Sequence, residues 1–212
     1  MTAVADAHGL IGRYQRYAAP KRALDLILVL VALPLVVPVL LLCAIAIRLD
    51  SPGPVLYRQK RTGQHGRTFQ MFKFRTMVRN ADQLKAELAH LSILPPPDFK
   101  IINDPRITRV GRLLRKTSLD ELPQLINVVR GEMSLVGPRP TDFHIDSYDL
   151  WHMERLEVPP GITGLWQVRG RNTTNFDERL RLDVQYIDNI SLVLDLRILF
   201  ETVGAVMHGT GE

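Results

Sequence analysis

The longest apolar run of the chain lies near its start. Every residue from Leu26 to Ile47 is apolar. As a helix these 22 residues would be about 33 Å long at about 1.5 Å per residue, enough for the hydrocarbon core of a bilayer. The pattern predicts a membrane segment at residues 21–48, after an N-terminal tail at residues 1–20 that is partly ordered or a short surface helix. Residues 49–212 form the main domain.

Both flanks of the apolar run are basic. Lys21 and Arg22 precede it, and four cations follow it: Arg48, Arg58, Lys60 and Arg61. The positive-inside rule is better satisfied if both ends face the cytosol, and Pro34 and Pro38 favour a kink near the middle. A simple span stays equally open, because transmembrane helices tolerate proline. A cleavable signal peptide fits less well, since the run is longer than a typical signal-peptide apolar core.

The main domain alternates short extended and helical patterns. Residues 55–61 and 67–76 predict two strands of a β-hairpin around the turn Thr62–Gly66. Helical spacing follows at residues 80–93, at 124–129 as a buried helix, and twice within 175–207. The last helix carries an apolar stripe that suits the membrane interface or the core: Leu192, Leu196, Leu199, Val203 and Val206. We expect a mainly helical, membrane-associated α/β fold with amphipathic interfacial helices.

The charge balance narrows the class of partner. Lys and Arg outnumber Asp and Glu by 27 to 22, a net charge of +5, which favours anionic partners. The basic residues are spread among Gly and Pro motifs, without a zinc-finger pattern or an RNA-binding aromatic motif, so nucleic acid is not an expected partner. Cys43 is the single cysteine, which excludes an intrachain disulfide and suits a reducing cytosolic face.

Two adjacent carboxylates, Asp120 and Glu121, are the main candidates for chemistry. An ionised Asp needs no general base to act as a nucleophile, its neighbour can hold a hard cation, and Arg115 can neutralise phosphate charge. A structural interpretation competes, because Ser118 and Glu121 also match a capping box at a helix start. Pro123 lies where the second helical turn would be, so the helix begins either near residue 119 or near Pro123.

Long contiguous motifs surround this dyad. They are Asp104-Pro105-Arg106-Ile107-Thr108, Gly111-Arg112, and Gly131 to Pro140, which reads Gly-Glu-Met-Ser-Leu-Val-Gly-Pro-Arg-Pro. With these motifs the chain resembles the monotopic phosphoglycosyl transferases from about Lys21 to Met207. These bacterial sugar transferases move a phosphosugar from a nucleotide diphosphate sugar to a polyprenol phosphate.

The resemblance implies a role for each residue of the dyad. Asp120 would be the nucleophile that attacks the sugar-bearing phosphorus and holds the phosphosugar covalently. Glu121 would bind Mg²⁺, the expected cofactor, and Arg115 would be an active-site arginine.

Phosphate binding is expected from a second set of cations. Arg139 is held between Pro138 and Pro140, which preorganises its guanidinium for bidentate contact with phosphate oxygens, as the family uses it. The alternative is a structural arginine that pairs with a helix C-terminus. Lys73 and Arg75 lie on one strand face by the period of two and suit a diphosphate. The resemblance places Lys73 near the active site, and solvated strand cations are the alternative.

The residues at the membrane boundary have expected roles too. Lys21 and Arg22 would meet lipid headgroups or the polyprenol phosphate, or would serve only as interfacial anchors. Asp25 is expected to form an ion pair with a nearby arginine. The resemblance favours a re-entrant helix over a span, although the Ser-Pro typical of the family's helix break is Leu33-Pro34 here.

The resemblance implies the first membrane step of bacterial glycan or exopolysaccharide synthesis, at the cytosolic face of the inner membrane. Expected partners are a nucleotide sugar, UDP-hexose being the expected donor, undecaprenyl phosphate and membrane lipid, and a homo-oligomer stays open. The sequence does not identify the sugar or the nucleotide base. One rival is a membrane phosphatase that passes through an aspartyl phosphate with water as acceptor. The other is a basic membrane adaptor in which the dyad only caps a helix.

Overall fold

The computed structural model describes residues 2–93, 99, 101–141, 150–169 and 176–207. Its elements, in chain order, are α1 (Thr2–Asp50), β1 (Leu56–Thr62), β2 (Thr68–Phe74), α2 (Ala81–Glu87), α3 (Arg109–Lys116), α4 (Leu125–Arg130), β3 (Ser134–Val136), β4 (Gly161–Thr163), α5 (Leu165–Arg169), α6 (Phe176–Asp188) and α7 (Leu192–Met207). Short 3₁₀ helices lie at Gln64–Gly66, Ala89–Leu91, Leu119–Gln124 and Leu150–Leu156. The expected mainly helical fold with a long apolar helix and a hairpin is confirmed.

Helix α1 joins two segments that the sequence pattern separates. It is helical from Thr2 to Asp50, and Pro20, Pro34 and Pro38 all lie inside it. The predicted tail is therefore continuous with the membrane segment, and no element boundary falls at residue 20. The helix also continues through the predicted break at Pro34 and Pro38, so the two prolines do not divide it into separate helices.

The buried side chains of α1 form two groups, one toward each end of the apolar run. The first group recurs every four residues: Tyr17, Lys21, Asp25 and Val29. The second is Cys43 and Ile47. Within the described stretch 30–42 no side chain is buried. Helix α1 therefore packs against the rest of the chain at both ends of the run and leaves an apolar middle exposed.

Strands β1 and β2 form the predicted hairpin. They pair antiparallel with Leu56 opposite Phe74 and Thr62 opposite Thr68. Strand β2 contacts both packed groups of α1, because Met71 lies in a cluster with Val29 and Phe74 in a cluster with Cys43 and Ile47. Both groups also include residues of other helices, because Val128 of α4 lies in the first cluster and Leu114 of α3 in the second.

A second sheet was not predicted. Strands β3 and β4 pair in parallel, Ser134 with Gly161 and Val136 with Thr163. Each strand has three residues, too few for a period-two pattern to stand out. Gly161 permits the close approach, since a Cβ there would lie 2.1 Å from the amide nitrogen of Gly137. Strand β3 ends two residues before Pro138, so this sheet fixes where the segment Pro138-Arg139-Pro140 begins.

The two predicted C-terminal helices are confirmed as α6 and α7. Their buried cluster is Val136, Val158, Leu165, Tyr186, Ile187 and Ile198. The apolar stripe of α7 divides between both expected uses, because Leu199 packs on this core whereas Leu196 and Val203 are exposed. The predicted buried helix at 124–129 also differs, since α4 buries Val128 but exposes Val129. An exposed apolar face on α7 accords with an interfacial helix.

Candidate active site

The dyad lies in a tight turn between α3 and α4. Ser118 has a left-handed backbone (φ 56°) and makes no side-chain capping bond to the 3₁₀ helix Leu119–Gln124 that follows. The capping-box interpretation is therefore wrong: only the backbone N–H of Glu121 returns, to the Ser118 carbonyl at 3.2 Å. The 3₁₀ helix begins at Leu119 and contains Pro123, and the α-helix α4 begins at Leu125, two residues after Pro123.

Glu121 is held by two cations. Lys73 Nζ and Arg139 Nη2 each donate to its Oε1 at 2.8 Å, and Arg139 Nη1 lies 3.5 Å from Oε2. Burial alone would raise the pKa of Glu121, but the charges of Arg139 and Lys73 outweigh it and hold that pKa well below its usual range. Glu121 is therefore ionised, although most of its carboxylate is removed from water.

Asp120 has a different environment from its neighbour. Only 9% of the residue is exposed, and burial raises the pKa of its carboxyl, with Lys73 and Arg115 opposing that rise and Glu121 adding to it. Among the residues that the structure describes, no hydrogen-bond donor contacts its oxygens, and its electrostatic partners act through charge alone. A weakly solvated carboxylate without hydrogen bonds, near several cations, is suited to nucleophilic attack on a phosphate ester.

Arg115 is fixed against the end of β2. Thr108 caps α3, its Oγ1 accepting from the Gly111 N–H at 3.0 Å. A Cβ at Gly111 would lie 2.0 Å from the Thr76 carbonyl oxygen, so glycine is required for this contact. The helix then directs Arg115 Nε to Thr76 Oγ1 at 2.9 Å. These contacts hold the guanidinium near Asp120, where its charge opposes the rise that burial causes in the pKa of Asp120.

Arg139 reaches the dyad from the loop that follows β3. The loop is pinned on both sides, because the Pro138 carbonyl accepts from the Gly161 N–H at 2.8 Å and the Thr141 carbonyl accepts from the Thr62 N–H at 3.0 Å. The Arg139 side chain is 36% exposed, so its guanidinium can meet both Glu121 and a ligand from solvent. The structure thus brings Lys73, Asp120, Glu121 and Arg139 together, with Arg115 alongside.

Comparison with known proteins identifies the family of this chain. The sequence profile of the bacterial sugar transferase family matches residues 16–209. The chain belongs to the bacterial sugar transferase family. This confirms the family that the motifs around the dyad predicted.

The relatives of this bacterial sugar transferase differ in length. The exopolysaccharide production protein ExoY of Rhizobium meliloti is 42% identical over 91% of this chain and 87% of its own length. The galactosyl transferase CpsE of Streptococcus agalactiae is 46% identical over 81% of this chain. The undecaprenyl-phosphate galactose phosphotransferase of Salmonella typhimurium is 43% identical over 90% of this chain. The chain spans only about two fifths of these last two relatives, at 40% and 41% of their lengths.

Arg75 lies away from the dyad of this transferase. Its guanidinium donates to the carbonyls of Pro52 and Ser51 at 2.7 and 2.8 Å and to Ser51 Oγ at 2.9 Å. It is buried against Gly53, where a Cβ would lie 2.0 Å from Arg75 Nη1, so the absence of a side chain there makes room for it. These contacts fasten the turn after α1 to the end of β2. Arg75 is therefore neither a solvated strand cation nor, by these contacts, a phosphate ligand, and we leave it out of the proposed site.

The basic residues at the start of the membrane segment also have internal partners. Lys21 is 5% exposed and donates to Asp195 at 2.7 Å, so its predicted place among lipid headgroups is wrong. Arg22 donates to the carbonyls of Val128 and Val129 at the end of α4. A cation at this position satisfies carbonyls that have no partner within the helix.

Asp25 is buried, but not with the arginine expected for it. Its Oδ2 accepts from Ser134 Oγ at 2.8 Å and its Oδ1 from the Leu135 N–H at 3.3 Å, and Lys21 Nζ lies 3.6 Å away. Asp25 thus joins α1 to β3. The predicted ion pair with an arginine is replaced by a serine hydroxyl, a backbone amide and a lysine.

Several buried polar residues were missed by the sequence interpretation. Asp195 lies on α7 and accepts from Tyr17, Lys21 and Tyr186. The available signal was an aspartate between apolar neighbours in Leu-Val-Leu-Asp-Leu at the start of this helix, since Asp is rarely fully buried unless it is paired. Arg155 and Asp183 form a second buried pair at 2.7 Å. They lie in segments of mixed polarity, where no sequence pattern indicates that either residue is buried.

Proposed function

We propose that this chain transfers a sugar 1-phosphate from a nucleotide diphosphate sugar to a polyprenol phosphate. The observation that carries the proposal is the pairing of two unlike carboxylates, Asp120 without hydrogen bonds among the described residues and Glu121 fixed by Lys73 and Arg139. Among the relatives, a UDP-galactose-lipid carrier transferase of Erwinia amylovora is 44% identical over 90% of this chain. Its name and that of the Salmonella relative supply the two substrate classes.

The proposed reaction has two displacement steps at one phosphorus. An Asp120 oxygen attacks the sugar-bearing phosphorus of the donor, and the bond from that phosphorus to the bridging oxygen breaks. The nucleoside monophosphate leaves with the bridging oxygen, and an aspartyl phosphosugar remains. A phosphate oxygen of the polyprenol phosphate then attacks the same phosphorus, which forms the lipid diphosphate sugar and restores the Asp120 carboxylate.

Three cations would stabilise the charge on the transferring group. Lys73 and Arg139 converge on one oxygen of Glu121, and Arg115 is held beside the dyad by Thr76. Because each cation is fixed before the substrate arrives, little reorganisation is needed when negative charge develops on the phosphoryl oxygens. Burial lowers the pKa of Lys73, and Glu121 opposes that shift, so the ion pair helps to keep the ammonium charged.

Mg²⁺ is the proposed cofactor, and the donor set fits it. Mg²⁺ commonly takes one or two protein carboxylates and completes its octahedron with water and substrate phosphates. Within the described residues no group of three His, Cys, Asp or Glu side chains converges, so a cage made by protein alone is not expected. Glu121 would hold the ion through Oε2, whose one contact among the described residues is with Arg139 Nη1 at 3.5 Å. When bound, the ion would neutralise charge on the donor diphosphate.

We also propose that α1 enters and leaves the membrane on the same face. The 13 residues from 30 to 42 would rise about 20 Å as a helix, whereas a bilayer core needs about 20 residues. The residues on either side, Val29 and Cys43, pack against Met71 and Phe74 of the same strand. One compact domain cannot lie on both sides of a bilayer, which supports a re-entrant helix over a span.

Thiol labelling tests this topology. Leu10→Cys and Ala205→Cys variants, each in a Cys43→Ser background, are treated in intact cells with a reagent that does not cross the inner membrane. We expect both to be protected in intact cells and both to react after lysis, which places both ends at the cytosolic face. Labelling of the Leu10→Cys variant alone in intact cells would establish a span.

A substrate screen tests the transfer itself. Purified protein in detergent or nanodiscs is mixed with polyprenol phosphate, Mg²⁺ and a set of nucleotide sugars that includes UDP-hexoses, and nucleoside monophosphate is measured. We expect release with at least one donor, together with lipid diphosphate sugar. Release of free sugar phosphate without lipid would make the chain a phosphatase instead. No turnover with any donor, despite membrane binding, would favour the adaptor.

A further inference from the structure

The side chain of Arg139 touches the dyad, but its backbone is held from the opposite side. Its carbonyl oxygen accepts a hydrogen bond of 2.5 Å from Arg155 Nη2. The same nitrogen donates to Asp183 Oδ2 at 2.7 Å. A chain of contacts therefore runs from α6, which carries Asp183, through the 3₁₀ helix Leu150–Leu156 to the carbonyl of Arg139.

Both members of this pair are removed from solvent. Arg155 is 4% exposed and Asp183 is 1% exposed. Taking two charges out of water costs about as much as their attraction returns, so a buried ion pair is weak support for a purely stabilising role. This pair differs from a purely structural one because the Arg155 guanidinium also donates to the backbone carbonyl of Arg139. The side chain of Arg139 in turn contacts Glu121.

The loop that carries Arg139 is pinned by three elements. The Gly161 N–H at the start of β4 holds the Pro138 carbonyl, and the Thr62 N–H at the end of β1 holds the Thr141 carbonyl. Arg155 holds the carbonyl between them. The first two bonds come from backbone amides, whereas the third comes from a side chain and therefore depends on residue identity.

The position of the Arg139 carbonyl governs the position of its guanidinium. The prolines at 138 and 140 restrict the backbone on either side of Arg139, so a shift of the carbonyl moves the whole residue instead of being absorbed nearby. A misplacement of about 1 Å in a substrate-positioning group can lower turnover by about 100-fold. The Arg155 contact is therefore in a position to affect catalysis without meeting the substrate.

We propose that Arg155 and Asp183 are positioning residues that set the Arg139 guanidinium against Glu121 and the donor diphosphate. This inference rests on the proposed phosphosugar transfer. Asp183 fixes Arg155, Arg155 fixes the Arg139 carbonyl, and neither touches the reacting phosphorus. Three arginines face Asp183: Arg155 from the 3₁₀ helix, Arg179 from its own helix, and Arg139 from the loop.

A double-mutant cycle separates positioning from general stability. Arg155→Lys and Arg139→Met are measured singly and together, with nucleoside monophosphate release as the rate. We expect Arg155→Lys alone to lower kcat about 10- to 100-fold with a smaller change in KM, as for other residues that orient a site residue. In the Arg139→Met background the same change should have little further effect, because the group it positions is gone. If the loss of kcat in the double variant equals the product of the two single losses, the proposal is wrong.

The control is a second buried pair of the same chemistry. Arg106 Nη2 pairs with Asp104 at 2.6 Å and its Nη1 donates to the Ala81 carbonyl at 3.3 Å. Arg106→Lys removes a comparable guanidinium contact that does not touch Arg139. Its effect should simply multiply with that of Arg139→Met. If Arg155→Lys does not fold, the nearly isosteric Asp183→Asn takes its place in the cycle with the same expected non-additivity.

Hydrogen exchange gives a readout that does not depend on turnover. The peptide that covers residues 134–141 should exchange faster in Arg155→Lys than in the wild type, and at the wild-type rate in Arg106→Lys. Unchanged exchange in Arg155→Lys would overturn the positioning role even if no donor sugar has been found. Wild-type protein that turns over no nucleotide sugar would instead count against the proposed function.

Discussion

Two clusters of buried charge in this protein are satisfied in opposite ways. The anchor cluster is Tyr17, Lys21, Asp25, Tyr186 and Asp195. The second cluster, which we call the catalytic cluster after its proposed function, is Lys73, Asp120, Glu121 and Arg139. In the anchor cluster both oxygens of Asp195 accept hydrogen bonds, Oδ1 from Tyr186 at 2.7 Å and Oδ2 from Lys21 at 2.7 Å and from Tyr17. In the catalytic cluster Glu121 accepts two hydrogen bonds of 2.8 Å at Oε1, whereas Asp120 accepts none among the described residues.

The difference indicates which buried charges hold the fold and which perform chemistry. A buried carboxylate with all its acceptors used stiffens the elements that it joins, here α1, α6 and α7. A buried carboxylate without donors is costly, and such groups concentrate at functional sites. Substitutions in the anchor cluster should thus mainly lower stability, whereas substitutions in the catalytic cluster should mainly lower turnover.

The largest expected effect is the loss of turnover in Asp120→Asn. The amide is nearly isosteric but is not a nucleophile, so nucleoside monophosphate release should fall by at least about 1,000-fold. The melting temperature should stay equal or rise, because burial disfavours the charge that the substitution removes. Activity within tenfold of the wild type would place the nucleophile elsewhere.

Lys21→Met should have the largest effect on stability. It would leave Asp195 and Asp25 buried without their cation, and breaking a buried pair in this way costs about 3–5 kcal/mol. Lys60→Met, at an exposed lysine of β1, is the matched control and should melt near the wild-type temperature. A Lys21→Met variant as stable as this control would show that the anchor cluster does not hold α1.

Glu121→Gln should lower turnover by about 100-fold, as loss of one fixed electrostatic contact does, and should raise the Mg²⁺ concentration needed for half-maximal rate. The control is Glu201→Gln, because Glu201 is likewise shared by two arginines, Arg169 at 3.2 Å and Arg197 at 3.0 Å, but lies outside the catalytic cluster. Titration of Mg²⁺ against rate in both variants checks the prediction. A normal Mg²⁺ requirement in Glu121→Gln would remove Glu121 from the metal site.

The smallest expected effect is a pH-dependent stability from Asp183. Burial raises its pKa from 3.8 to about 6 in the folded protein, against the opposing charge of Arg155. The folded state therefore binds the proton more tightly than the unfolded state, so this contribution to stability grows as pH falls from 7 towards 5, by roughly 1 kcal/mol. Asp183→Asn cannot take up this proton. The melting temperature of Asp183→Asn, measured relative to that of the wild type, should therefore fall as pH falls from 7 to 5. A difference in melting temperature that stays constant over this range would contradict the raised pKa of Asp183.

The site residues that lie in or near recognisable sequence motifs could be predicted from the sequence. The sequence alone predicts site roles for Asp120, Glu121, Lys73 and Arg139, and the structure brings them together. The hairpin, the long apolar helix and the two C-terminal helices also followed from periodicity. These features depend on local pattern, which a single sequence carries directly.

Features that depend on tertiary partners were not predictable in the same way. Lys21 and Arg75 are both cations near apolar segments, yet each is buried by a partner distant in sequence, Asp195 and the Ser51 carbonyl. The parallel pair β3 and β4 needs two three-residue strands to meet across 24 intervening residues, and no local pattern specifies that. The capping-box prediction was wrong because the Glu121 side chain accepts from Lys73 and Arg139 instead of from a backbone amide.

The central claim is that Asp120 holds the phosphosugar covalently, and intact-protein mass spectrometry tests it most directly. Protein is mixed with a nucleotide sugar that it turns over and Mg²⁺, without polyprenol phosphate, and quenched rapidly. We predict a mass increase of one sugar phosphate that disappears when polyprenol phosphate is added and is absent in Asp120→Asn. An active wild-type enzyme with no adduct, or an adduct that persists in Asp120→Asn, would contradict the account.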